Sequence, residues 1–148
     1  MKKLSKMEKK KDLANKLRTS GLRPTKQRIK LAEFLFNRDK TFHFTVENLD
    51  KAINKKNAED KIALATIYNT VHAFKKAGHL KEILIKEGKN YFDTNTTSHH
   101  HFYDEVNNEL TDIENNKIEL KKFPSPPKGK SIIDVNVLIN IDNDNQKH

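Results

Sequence analysis

Apolar positions recur at helical spacing over the first half of the chain and then switch to alternation, so the period of the pattern divides the sequence before any motif does. Leu13 and Leu17 lie one turn apart in residues 7–20, and Gly21 follows where a helix-ending glycine belongs. Pro24 opens "PTKQRIKLAEFLFN", in which Ile29, Ala32 and Phe36 form a stripe widened by Leu35. Thr45 caps a third, shorter helix, "VENLDKAINKK", with Val46, Leu49 and Ile53 on one face. In "LATIYNTVHAFKKAGHL", Ile67, Val71 and Phe74 share a face while Tyr68, Asn69, His72, Lys75 and Lys76 point elsewhere, and Gly78 ends the helix.

The period then falls to two. "LKEILIKEGKNYFD" sets Leu80, Glu82 and Leu84 against Lys81, Ile83 and Ile85, and a turn at Glu87-Gly88 leads to a second strand with Tyr91 and Phe92. Helices followed by a hairpin describe a winged helix. Beyond residue 93 come short strands around "HFYDE" and "NELTDI", a short helical segment near 114–121, and a loop at "PSPPKG", where three prolines in four residues exclude regular hydrogen bonding. "SIIDVNVLINI" alternates Ile133, Val135, Val137, Ile139 and Ile141 with polar residues, the pattern of a half-buried strand. The last seven residues read as frayed. The expected fold is α+β: a winged helix-turn-helix domain over 1–89, with a basic tail at 1–10, and a small α/β domain over 90–148.

Charge changes this picture more than composition does. Residues 1–89 hold 23 Lys or Arg against 10 Asp or Glu, a balance of +13, whereas residues 90–148 hold 6 against 10, a balance of −4. The basic half is an electrostatic footprint for a polyanion. "MKKLSKMEKKK" reads as a solvated tail that raises nonspecific DNA affinity by releasing counterions. No apolar run approaches the roughly 20 residues needed to cross a bilayer, and the Lys-rich start lacks the apolar segment of a signal peptide, so a cytoplasmic protein without a membrane partner is expected. The absence of cysteine removes disulfides and thiolate metal sites.

A basic helical segment ending in a hairpin suits a recognition helix in the major groove with a wing toward the backbone. On that reading Asn69 reads adenine edges, Thr66 and Tyr68 meet thymine methyls or phosphates, and Arg23, Thr25, Lys26 and Arg28 hold phosphates, with His72 and Lys75 on the same exposed side. An ordinary amphipathic surface helix has the same pattern; the basic segment and the hairpin favour DNA.

"TTSHHHFYDE" raises a separate question. On a strand His99 and His101 share one face and His100 takes the other, so one site would use the outer pair. Imidazoles with carboxylates suit zinc, manganese or ferrous iron. The alternative is three polar strand residues with ordinary titration.

"GLRPTKQR", "LATIYNTVHAFKKAGHL" and the His-rich stretch together resemble the ferric uptake regulator family, over roughly residues 10–141. "ATIYNTVHAF", "TSHHHFYDE" followed by "ELTDI", and the lack of cysteine are similar to its iron-response regulator branch. The resemblance implies a repressor that binds AT-rich inverted-repeat operator DNA as a homodimer, controls iron and haem genes, and senses a divalent ion (Fe, Zn or Mn) or haem in a C-terminal dimerisation domain. Its regulatory metal site would use His43, Asp93, His99, His101 and Asp112. A second site would draw on His100 and Glu119, yet Asp134, Val135 and Asn136 occupy the region of its other usual histidine. Asp104 and Asn107 stand where relatives begin a cysteine-bound zinc site, and no Cys-Pro haem motif is present, so haem would rely on His99, His100 and His101.

The apolar side of the strand at 133–141 is more than so small a domain readily covers, which leaves a second copy or burial against its own chain to cover it, and dimerisation is expected. A metal-dependent hydrolase fits less well, because there is no His-Glu-x-x-His helix, no nucleophile beside a base, and no Gly-rich phosphate loop among four glycines. A metal-buffering protein would not need the basic half. The chain therefore reads as a regulator and not an enzyme.

Overall fold

The computed structural model describes residues 5–56, 59–86 and 88–144. The chain divides into two units, Met1–Thr96 and Thr97–His148. The division falls seven residues beyond the expected 89/90 boundary, because residues 89–93 are hydrogen-bonded into the first unit's sheet.

In the first unit, α1 (Lys6–Thr19) starts at a reciprocal cap. Ser5 Oγ accepts from the Glu8 amide at 3.2 Å, and the Glu8 carboxylate accepts from the Ser5 amide at 3.0 Å. This cap replaces the expected tail from residue 6 onward; residues 1–4 lie outside the described residues. The helix closes by a Schellman motif: Leu22 N–H donates to Leu17 O at 2.8 Å and Gly21 N–H to Arg18 O at 3.0 Å, with Gly21 at φ +86. Thr25, not Pro24, caps α2 (Lys26–Phe36). Leu31, Ala32 and Leu35 are its buried residues, so the stripe is rotated toward Leu31, and Ile29 and Phe36 sit at its edge.

The third helix, α3 (Val46–Ile53), carries the expected Thr45 cap but ends before "NKK". There the Asn54 side-chain amide donates to Asp50 Oδ1 (2.7 Å) and Ile62 O (2.6 Å) and accepts from Ile62 N–H (2.8 Å), drawing the chain away from the helix axis. The fourth, α4 (Leu64–Lys76), buries Ile67, Thr70, Val71 and Phe74. It closes by a second Schellman motif at Gly78, in which His79 N–H reaches Phe74 O at 2.9 Å. The two helix ends meet: Ser20 Oγ donates to Leu17 O and accepts from His79 Nε2 at 2.7 Å.

The wing has three strands, one more than the pattern predicts. β1 (His43–Phe44), too short to show a period, pairs antiparallel with β3 (Lys89–Asp93), which pairs in turn with β2 (Lys81–Lys86). Ile83 and Ile85 are half-buried while Leu84 is exposed, which fixes the packed side of β2. Glu87 of the expected turn lies outside the described residues.

The second unit is a mixed sheet of order β5-β4-β6, with β4 (His100–Asp104) antiparallel to β5 (Glu109–Ile113) and parallel to β6 (Leu138–Ile141). Two expectations are corrected. The helix near 114–121 contracts to one 3-10 turn, Asn115–Lys117, the only helical element among the described residues of this unit, so the label α/β does not hold for it. The strand at 131–141 contracts to its last four residues, with Ile133 96% exposed, because alternation records a face that this chain alone does not cover. Residues 145–148 of the expected frayed end lie outside the described residues.

Candidate metal centre and nucleic-acid interface

β1 and β3 place His43 directly opposite Asp93 in the ladder. His43 Nε2 lies 3.0 Å from Asp93 Oδ2, and Asp93, wholly buried, also accepts from the Asn95 amide at 2.8 Å. A carboxylate out of water is stable only with donors or a cation around it. The pair is flanked in sequence by Phe44 and Phe92, whose rings stack at 5.7 Å; Phe92 meets His72 edge-on at 5.8 Å, and His72 lies 4.4 Å from Tyr68 on α4.

In the second unit all three histidines are buried, which removes the reading as surface strand residues. Alternation separates them as expected: His99 and His101 have ring centroids 4.4 Å apart, and both Nε2 atoms face one oxygen, Asp112 Oδ1, at 3.1 and 3.2 Å. Asp112 is brought there by the β4–β5 register, directly opposite His101.

Tautomers then sort the triplet. His99 Nδ1 lies 2.6 Å from Thr97 O, and since a carbonyl only accepts, Nδ1 donates. Nε2 is then the ring nitrogen that faces Asp112 Oδ1, and in a neutral ring it presents a lone pair there. A cation between them makes that contact favourable, and a ring held by a carbonyl at its far nitrogen is the usual arrangement of a metal-ligating histidine. The residues present thus fit a divalent ion.

His100 has the opposite tautomer. Its Nδ1 accepts from Val137 N–H at 3.0 Å, which leaves the proton on Nε2 and no free lone pair for iron or zinc. It faces a recess lined by Ile118, Leu120, Phe123 and Ile133, where it clasps the segment before β6 to β4. Glu119 is exposed on the irregular segment, and among the described residues no metal-ligand group joins it to His100.

Asp104 and Asn107 also have a local role. Asp104 accepts from Asn107 Nδ2 (2.8 Å), Asn107 N–H (3.1 Å) and Val106 N–H (2.9 Å), which closes the β4–β5 turn. The Asn107 side chain first, then its amide, pulls the Asp104 carboxyl below its ordinary value.

On the basic side, Arg23, Thr25, Arg28, Thr66 and Asn69 line one recess together with Gln27 and Thr70. Thr25 Oγ1 accepts from the Arg28 amide, and Arg28 Nη1 donates to Arg23 O at 3.0 Å, so the loop holds itself. Tyr68 is exposed on α4 beside the half-buried His72. Lys75 is paired with Glu82 of the wing, which opposes its expected use on phosphate. Lys26 faces a different recess, with Lys30 and Lys61. Gln27 was invisible in the sequence because nothing in its spacing separates it from other exposed positions of α2.

Among the described residues no helix is long and apolar enough to cross a membrane. A sequence profile of the ferric uptake regulator family matches residues 19–138. The chain is 32% identical over 97 residues to the peroxide-responsive repressor PerR of Staphylococcus epidermidis, covering 66% of this chain and 62% of that protein. It is 32% identical over 104 residues to the ferric uptake regulation protein of Campylobacter upsaliensis, covering 70% and 65%. The chain thus spans a little under two thirds of the length of these relatives. The structure of the ferric uptake regulator from Pseudomonas aeruginosa with manganese superposes with a TM-score of 0.65 at 22% identity, over 88% of this chain and 96% of that one, which supports the fold.

Proposed function

The chain belongs to the ferric uptake regulator family, and on that premise we propose that it is a metal-responsive transcriptional regulator, not an enzyme. Its first unit binds double-stranded DNA, as a homodimer on an AT-rich inverted repeat; its metal-ligating donors are His43 and Asp93 in the first unit and His99, His101 and Asp112 in the second, and the last three hold a divalent ion. The observation that carries the reading is the pair of imidazole nitrogens aimed at a single Asp112 oxygen, with His99 already in the ligating tautomer. A bound ion supplies positive charge that holds carboxylates and imidazoles together. His43 and Asp93 adjoin the Phe44, Phe92, His72 and Tyr68 contacts, which gives that pair a packed route to α4 inside the first unit.

Iron- or haem-responsive control, as in the iron-response branch, is the finer reading. Of its two effectors the donor set favours the bare ion: nitrogen and oxygen ligands suit Fe, Mn or Zn, and His100 offers haem no lone pair. A second reading is a peroxide response. It is favoured by the printed name of the Staphylococcus epidermidis relative and by the cysteine-free donor set, which would place any oxidant chemistry at ferrous iron rather than at a thiol.

A gel shift on an AT-rich inverted repeat at physiological salt, with the protein metal-free or loaded with Mn, Zn, Fe(II) or haem, tests these readings. Metal is expected to change affinity by roughly 5- to 150-fold. Failure to bind under every condition overturns the regulator. Release by peroxide from the Fe(II) form and not the Mn form selects the second reading.

A further inference from the structure

A cationic groove of the first unit lies outside the recess that holds Asn69. α1 contributes Lys6 and Lys10, α2 contributes Lys26 and Lys30, and the chain before α4 contributes Lys61, all lining one open groove of about 670 Å³. Glu33 and Asp60 are the two acids of its lining, so five positive charges face two negative ones, a net +3. Glu33 forms a long ion pair with Lys10 at 3.9 Å, and Lys30 Nζ is held by the Asp60 backbone carbonyl at 2.5 Å, so the surplus of positive charge remains.

Four of these five lysines are on helices. The Ser5–Glu8 capping box fixes the first turn of α1, while Leu13 and Leu17, buried in the core, fix its roll. Lys6 and Lys10 are one turn apart on α1, as are Lys26 and Lys30 on α2, so two short rows of ammonium groups line the groove. The groove also adjoins the recognition recess, because Gln27 lines both. A duplex carries one negative charge per roughly 1.7 Å of its axis, so DNA laid on the recognition recess brings further phosphates past Gln27 toward these lysines. An open groove lined by flexible ammonium groups suits a long polyanion, whereas a small anion needs enclosure and fixed donors.

We propose that the α1–α2 groove binds the phosphate backbone of DNA flanking the sequence that α4 reads. The groove adds affinity and salt dependence without sequence preference. The proposal rests on the regulator reading above. Its test uses the full chain loaded with Mn and two labelled duplexes: an AT-rich inverted repeat alone, and the same repeat with about ten extra base pairs on each side, roughly one helical turn.

On the longer duplex the wild type is expected to show a steeper dependence of log affinity on log salt, by roughly 0.9 for each phosphate gained. Lys6→Gln/Lys10→Gln/Lys61→Gln removes the extra slope and leaves binding to the short duplex unchanged, and the same three positions changed to Arg restore it. Circular dichroism confirms that both variants keep their helices. Equal slopes on the two duplexes, or a Gln variant that matches wild type on the longer one, overturn the groove while leaving the regulator intact. Loss of the extra slope in the presence of inorganic phosphate at constant ionic strength shows a small-anion site and overturns it too. A wild type that binds neither duplex fails the regulator reading itself and takes the groove with it.

Discussion

The two units differ in how much of what they bury is polar. In the first, Leu17, Leu31, Ala32, Leu35, Phe44, Leu49, Ile67, Val71 and Phe74 are all essentially inaccessible and form one apolar core. In the second, His99, His100 and His101 are as deeply buried as Tyr103, Leu110 and Ile113, while Phe123, Ile132, Ile133, Ile139 and Ile141 face outward. A unit that hides imidazoles and shows isoleucines does not complete its own core. Its polar interior asks for a cation and its apolar exterior for a covering surface, the two partners that the proposed function supplies.

The largest expected effect tests this inversion directly. At a dilution where the protein is monomeric, Leu35→Ala should cost roughly 3 kcal/mol in urea unfolding followed by circular dichroism, and Ile133→Ala less than about 0.5 kcal/mol, although both remove buried-type hydrocarbon from the sequence pattern. Similar costs at the two positions would mean that the outward face is already covered. Ile133→Asp sharpens the point: it should leave each unit folded and shift the protein toward monomer in sedimentation.

Next in size is the division within the triplet. His101→Ala should lower zinc affinity by roughly 100-fold in a chelator competition. His100→Asn, which keeps an acceptor near the Val137 amide, should leave zinc affinity within about threefold, because His100 is outside the donor cluster and engages the Val137 amide instead. Equal losses would show that the histidines act as a block and that the tautomer argument is mistaken.

Smaller still is the N-terminal cap. Ser5→Ala should cost roughly 0.5–1 kcal/mol and speed amide exchange across Lys6–Lys11; a protected but uncapped segment, or one already exchanging freely in the wild type, would restore the tail expected from composition.

The smallest effect belongs to His79. Burial first, and Lys16 second, hold its pKa below the ordinary 6.5, so the unfolded chain binds the proton more readily. Stability from this group is present above pH 6.5 and falls as pH drops through the lower folded value. His79→Gln should flatten that part of the wild-type curve between neutral pH and about pH 5; identical curves would remove His79 from the account.

In three of the four helices the period of the pattern located the face buried against the same chain, and in α2 it fell one position short of Leu31. Leu13 and Leu17, the Val46–Leu49–Ile53 face and the Ile67–Val71–Phe74 face all lie inside the core. β1 escaped because two residues carry no period, yet it aligns His43 with Asp93. The strand at 131–141 was drawn too long because alternation reports what a strand is able to bury, not what this chain buries. At the site, strand alternation already separated His100 from its neighbours. The exclusion of His100 needed a long-range hydrogen bond from Val137, 37 residues away, which no local spacing encodes.

The parallel pairing of β4 with β6 has a consequence for the order in which the second unit folds. His101 and Asp112 are brought together by a hairpin closed over four residues, and His99 adjoins it, so these donors lie within a short stretch of chain. β6 must instead return across more than thirty residues to reach His101, and the entropy of closing that loop makes its docking the slower event. A nascent chain can therefore assemble the His99–His101–Asp112 cluster before the strand that presents Ile139 and Ile141 has arrived.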